Sequence, residues 1–113
     1  MHELSIIQSM LSIALEQAEV NRAKKINKIN ISIGELSGIV SECAEFCFEL
    51  LSADTIAAGA SLSIDRPPTR LRCRKCNSTF SPGDINWICP GCQSQSLEIL
   101  SGRECHISSI EVD

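Results

Sequence analysis

Leu4, Ile7, Leu11, Ala14, Leu15 and Ala18 recur three and four residues apart, the spacing of one face of a helix. The pattern predicts a first helix from about Glu3 to about Ala23. The period then changes. Ile29, Ile31 and Ile33 alternate with Asn30 and Ser32, which predicts a half-buried strand ending at Gly34. Gly34 and Gly38 bracket a turn, and Ser41 is placed to cap a second helix whose first turn holds Glu42. In that helix Ala44, Cys47, Phe48 and Leu51 form the inward stripe. A second strand follows at Ala60–Ile64, where Leu62 and Ile64 alternate with serines.

Asp65-Arg66-Pro67-Pro68 reads as a boundary, because two adjacent prolines withdraw donors from any sheet ladder and stiffen the chain. A cysteine-bearing segment lies beyond it. Strand character returns at Leu97 and Ile99, and after a Ser101-Gly102 turn it resumes at Cys105, Ile107, Ile110 and Val112. The apolar phase slips between Ile107 and Ile110, which predicts a β-bulge. This last strand is the natural third member of the first sheet. The expected fold is therefore α+β, a small domain of two helices and a three-stranded sheet with a zinc-ribbon module inserted between strands. The expected division is 1–66 plus 104–113 for the α+β domain and 67–103 for the module.

The inserted segment carries the sharpest motif. Cys73-Arg-Lys-Cys76 and Cys89-Pro-Gly-Cys92 are separated by twelve residues, the form of paired zinc knuckles. Two residues between paired cysteines let both thiolates converge on one ion, and Gly91 is read as permitting close backbone approach. Four thiolates fill a tetrahedral shell and leave no position for a reacting water, so the zinc is expected to be structural. Arg74 and Lys75 lie where they offset the net −2 charge of such a site.

Charge separates the two parts. Residues 66–103 hold six basic groups against Asp84 and Glu98, a local +4, while the remainder holds twelve acids against four bases. With 43% apolar residues the chain has material for a packed core. Its aromatic side chains are Phe46, Phe48, Phe80 and Trp87, a thin supply for stacking on nucleic acid. No secretory leader or membrane helix is expected. Seven cysteines in such a chain read as metal-binding thiolates of a cytoplasmic protein rather than as disulfides.

Met1-His2-Glu3 is a second candidate site. At a free N-terminus the Nδ1 of His2 and its own backbone amide nitrogen close a six-membered ring on a metal. The Met1 amine or the Glu3 amide can supply a third nitrogen in the same plane, and Glu3 can add a carboxylate oxygen. Planar, nitrogen-rich coordination suits Ni²⁺ or Cu²⁺. Elsewhere, Cys43 and Cys47 lie one helical turn apart beside an apolar stripe and read as small packing residues. Cys105 is expected in the core and His106 in solvent, because neighbours on a strand face opposite ways. No nucleophile–base pair or glycine-rich phosphate loop points to an enzyme.

The order and spacing of several pieces resemble the hydrogenase maturation nickel metallochaperone family, HypA (also called HybF). They are Met1-His2-Glu3 followed at once by an amphipathic helix, Ile33-Gly34-Glu35-Leu36, Glu45-Phe46-Cys47-Phe48, the paired knuckles, and Ser109-Ile110-Glu111-Val112. The resemblance implies Ni²⁺ bound through His2 and adjacent backbone with Glu3 assisting, and zinc at Cys73, Cys76, Cys89 and Cys92. It implies delivery of nickel to the precursor of the [NiFe]-hydrogenase large subunit, with a partner GTPase, HypB. In some organisms the family also serves urease. Some members have a further histidine within the zinc module; none lies between Cys73 and Cys92 here. The chain is expected to act as a monomer or homodimer, apart from nucleic acid and membrane. The alternative is a zinc-ribbon module for nucleic acid, using Arg66, Arg70, Arg72, Arg74 and Lys75 on phosphates, or a protein adaptor.

Overall fold

The computed structural model describes residues 3–82 and 87–113. Helix α1 spans Glu3–Val20 and α2 spans Ser41–Ser52. Strands β1 (Ile26–Ile33), β2 (Ser61–Asp65) and β6 (Cys105–Val112) make one sheet in the order β2–β1–β6. Strands β3 (Arg70–Cys73), β4 (Thr79–Phe80) and β5 (Leu97–Ser101) make a second, in the order β4–β3–β5. The α+β class and the cysteine-bearing insertion match expectation. The radius of gyration is 17.7 Å, against roughly 13 Å for a compact body of this length, and the molecule measures 55 × 26 × 17 Å. The two sheets therefore extend the molecule along one axis rather than sharing one core.

The first sheet is built on the alternation in β1. Ile29, Ile31 and Ile33 point to the helices, and β2 runs parallel beside β1 with Leu62 against Ile29 and Ile64 against Ile31. β6 is antiparallel on the other side, with Ile110 opposite Ile29 and Ile107 opposite Ile31. Two three-strand rows of aliphatic side chains thus face α1 and α2. The opposite face is polar: Lys28, Asn30 and Ser32 sit beside Ser61, Ser63 and Asp65. The expected bulge is present. Asn30 pairs with Ser109 and Ile31 with Ile107, so Ser108 is the extra residue that keeps both isoleucines on the helix face.

The helices correct the expectation in detail. α1 buries Ile7, Met10, Leu11, Ala14 and Ala18, whereas Leu4 is 53% exposed. It ends at Val20 because Arg22 turns left-handed (φ 54°). The Arg22 N–H bonds the Glu19 carbonyl (3.0 Å) and the Ala23 N–H the Ala18 carbonyl (2.8 Å), a Schellman closure made without glycine. α2 buries Ala44, Phe48 and Ser52, with Cys47 and Leu51 half-buried against the same core. Its N-cap is Val40, with no side-chain cap bond; Ser41 is already helical.

Where the first sheet meets the second, Gly34-Glu35-Leu36 grips both crossing segments. The Gly34 N–H bonds the Glu104 carbonyl (2.8 Å), that of Glu35 the Pro67 carbonyl (3.2 Å), and that of Leu36 the Gly102 carbonyl (2.7 Å). The Glu35 carboxylate accepts the Thr69 N–H (2.9 Å), and the Arg66 guanidinium donates to the Ile39 carbonyl (2.7 Å). A Cβ on Gly34 would fall 2.1 Å from the Gly102 oxygen, a backbone atom with no freedom to withdraw. Gly34→Ala is expected to destabilise the protein by about 3 kcal/mol, read as a lowered thermal midpoint. A midpoint within error of wild type would mean that the junction is loose.

Glu35 also makes the junction pH-dependent. The Thr69 backbone bond, aided by the Thr69 hydroxyl and Arg66, holds its carboxyl below the ordinary 4.5 against a smaller cost of desolvation. A carboxyl lowered in the folded state adds stability above its unfolded value and loses it as pH falls through the folded one. Exchange of the Thr69 amide is therefore expected to quicken, relative to the other amides of β3, as pH drops below about 4.5. In Glu35→Gln that change with pH should vanish.

Candidate metal centre

The second sheet has few apolar side chains to bury. Among the described residues of the sheet and its connections, the buried apolar groups are Leu71, Cys73 and Cys89, each fully enclosed. Leu71 is central, opposite Phe80 on β4 and Ile99 on β5. Arg72 and Glu98 face one another across β3 and β5 and form a half-exposed ion pair, worth about 0.5 kcal/mol.

Cys73 is the last residue of β3, so its thiol is delivered by the sheet while Cys76 follows in the turn. The two knuckles repeat one construction. The Cys73 N–H bonds the Ser78 carbonyl and the Asn77 N–H bonds the Cys73 carbonyl, both 2.9 Å. In the second, the Cys89 N–H bonds the Ser94 carbonyl (2.9 Å) and the Gln93 N–H the Cys89 carbonyl (2.8 Å). The left-handed residue in each is the one after the second cysteine, Asn77 (φ 62°) and Gln93 (φ 63°). Gly91 is not needed for space, contrary to expectation: a Cβ there would sit 3.7 Å from the Cys89 sulfur, an ordinary contact.

The four sulfurs converge. Cys73 and Cys92 Sγ lie 3.4 Å apart, Cys76 and Cys89 Sγ 3.5 Å, and all four lie within 4.8 Å of one another. Zinc–sulfur bonds of about 2.3 Å in a tetrahedron need sulfur–sulfur edges of about 3.8 Å, so the arrangement fits one ion with little adjustment. The electrostatics of the donor set also suit one. The Ser78 hydroxyl and backbone bonds, with Cys89 beside it, bring Cys76 down to about 6. A backbone bond from Ser94 favours ionised Cys92, but neighbouring Cys73, Cys89 and Cys76 together with burial outweigh it and push Cys92 up to about 12. Four thiols this close do not share four negative charges without a cation among them. Among the described residues no other group of three or more potential ligands assembles.

Other sequence candidates fall differently. Met1 and His2 lie outside the described residues; Glu3, half-buried, opens α1. Cys43 is exposed and Cys47 half-buried on α2. Cys105, expected in the core, is exposed: β6 is an edge strand, so its helix-facing side chains are covered only where α1 reaches them. Its thiol lies in a groove beside α1, and partial burial there raises its pKa. His106 is exposed, as expected. Of the basic groups a nucleic-acid reader would need, Arg66 is held by Ile39, Arg72 by Glu98, and Arg70 by the Ser81 hydroxyl (2.9 Å). The junction around Glu35 was missed from sequence. Its signal is a glycine followed by an acid directly after a strand, Ile33-Gly34-Glu35, which by itself reads only as a turn.

No helix among the described residues is long and apolar enough to cross a membrane. Comparison with known proteins is consistent along the whole chain. A hydrogenase maturation factor HypA from Dehalococcoides mccartyi is 45% identical over 113 residues, covering all of this chain and 95% of that protein. One from Caldanaerobacter subterraneus is 38% identical, with full coverage of both. The solution structure of the nickel metallochaperone HypA from Helicobacter pylori superposes with a TM-score of 0.69 at 28% identity, covering 99% of this chain and 97% of that one. A second HypA solution structure gives 0.76 at 29% identity, covering 99% and 96%. Residues 1–112 match the family model described as hydrogenase/urease nickel incorporation, metallochaperone, hypA. With the cysteine cluster and the whole-chain match in agreement, this protein belongs to the HypA family of nickel metallochaperones for hydrogenase maturation.

Proposed function

We propose that the chain carries Ni²⁺ at Met1, His2 and Glu3 and hands it to the precursor of a [NiFe]-hydrogenase large subunit, with zinc held at Cys73, Cys76, Cys89 and Cys92. The observation that carries this is the family match over residues 1–112, which takes in Met1-His2-Glu3 as well as both knuckles. The sulfur spacing supports the zinc assignment. When bound, zinc supplies a fourfold cross-link with no open position, so its role is to fold the segment. Residues 1–66 plus 104–113 and residues 67–103 then act as two folding units joined at Gly34–Leu36. GTP hydrolysis belongs to a partner, HypB, and the chain itself turns over no substrate in the cytoplasm.

Nickel is cargo here, so release matters as much as binding. Imidazole and deprotonated amide nitrogens bind the ion only while unprotonated, and acidification or a competing ligand on the recipient loosens it. Glu3, at the head of α1, ties the chelate to a rigid element that a recipient can dock. The test is transfer: nickel-loaded chain mixed with metal-free hydrogenase precursor in the presence of HypB and GTP. Nickel should move to the precursor, and chain carrying His2→Ala should deliver none above free diffusion. Equal delivery by both would overturn the assignment.

A further inference from the structure

We infer that β6 is a self-complementary interface through which two copies of this chain join their first sheets into one six-stranded sheet. β6 pairs with β1 on one side, and among the described residues no strand lies beyond it. It is eight residues long, without lysine or proline, the usual guards of an open edge. Between it and α1 runs a groove made of two cavities of about 490 and 380 Å³ that share Ile13 and Ile107. Ile6, Met10 and Ile13 form its helix wall, and Ile13 is 51% exposed.

The strand matches itself when turned about a two-fold axis between Ser108 and Ser109. Antiparallel pairing there sets Cys105 against Val112 of the second copy, His106 against Glu111, and Ile107 against Ile110. The facing follows from β1. Cys105, Ile107, Ile110 and Val112 lie opposite Ile33, Ile31, Ile29 and Ile26, on the helix side. His106 and Glu111 lie opposite Ser32 and Lys28, on the polar side. Every pair therefore shares a face, with aliphatic rows continuous under the helices and an imidazole beside a carboxylate above. This register uses all eight residues of β6. A slip of two residues either way shortens the ladder to six, and a slip of one reverses the faces. The Ser108 bulge falls at the axis, where small side chains meet. Joining two copies also brings the α1 walls together and covers Ile13, Ile107 and Val112, the last 39% exposed in the single chain. A closed two-fold contact of this kind ends at two chains and leaves no further edge at β6.

Sedimentation velocity of untagged, zinc-loaded protein across a concentration series tests this. A reversible dimer is expected. His106→Glu sets carboxylate against Glu111 at both symmetric positions and should weaken it about tenfold. Adding Glu111→Lys should restore it, and Ile13→Glu should weaken it independently. His106, Glu111 and Ile13 are exposed or at a strand edge, and unchanged circular dichroism would confirm that each variant folds. A chain that stays monomeric through about 1 mM overturns the inference. So does a dimer indifferent to both His106→Glu and Ile13→Glu, which would place the contact elsewhere.

Discussion

Replacing Cys73 with serine is expected to dissolve the β4–β3–β5 sheet while α1, α2 and the β2–β1–β6 sheet stay folded. The imbalance in buried material is the reason. The thirteen residues of the continuous hydrophobic core, from Ile7 to Ala57, lie between the two helices and the first sheet. Among the described residues of 67–103 the fully buried apolar groups besides cysteine come down to Leu71, worth about 2 kcal/mol of transfer energy. Ordering each residue costs about 1–2 kcal/mol, so hydrophobic burial alone does not hold this segment. A structural zinc contributes on the order of 10 kcal/mol, far more than any other contact there. Loss of one ligand leaves three thiolates around an open site, and Cys73 is also the residue that couples the cluster to β3. Amide spectra should show resonances of residues 67–103 collapsing toward random-coil positions, with those of β1 and the helices shifting little outside Gly34–Leu36. Chelation of the metal from wild-type protein should give the same pattern, reversed by adding zinc. Uniform collapse of every resonance would show that the two parts fold as one. An unchanged spectrum would show that the metal is dispensable.

The second large effect is expected at the N-terminus, as a steep fall of nickel affinity on acidification. Each backbone amide that binds nickel gives up a proton, and the imidazole must be neutral. With one amide displaced, affinity falls about tenfold per pH unit, and with two about a hundredfold, or about 2.8 kcal/mol. The zinc cluster loses its metal to protons through thiolates rather than amides, so its curve is read separately, as zinc content at each pH. Calorimetric titration in buffers of different ionisation enthalpy counts the protons released. Release of one or two protons per nickel at neutral pH is the expected result; none would exclude amide coordination.

The elements were largely legible in the chain, and for identifiable reasons. Alternation at Ile29, Ile31 and Ile33 marks a sheet with one covered face, and the phase slip between Ile107 and Ile110 marks the bulge whose extra residue the register shows to be Ser108. The CxxC spacing carries its own chemistry, so the cluster was readable without the fold. What escaped depends on neighbours distant in sequence. Leu4 has helical spacing yet is 53% exposed, while Met10 is covered by the core. Cys105 alternates like a core residue, but an edge strand has cover on one side only. The left-handed turns at Arg22, Asn77 and Gln93 use residues that leave no glycine to notice. Glu35 reaches Thr69 across 34 residues, a bond with no periodic trace.

Nickel binding at His2 is tested most directly by titrating Ni²⁺ into zinc-loaded protein made to begin at Met1, with any tag at the other end, beside His2→Ala. Absorbance in the visible range reports planar nitrogen coordination, and elemental analysis reports zinc. One equivalent bound by wild type, weakened ~100-fold or more in His2→Ala with zinc retained, is the predicted result. Equal binding by the two proteins would contradict it and move the nickel site away from the N-terminus.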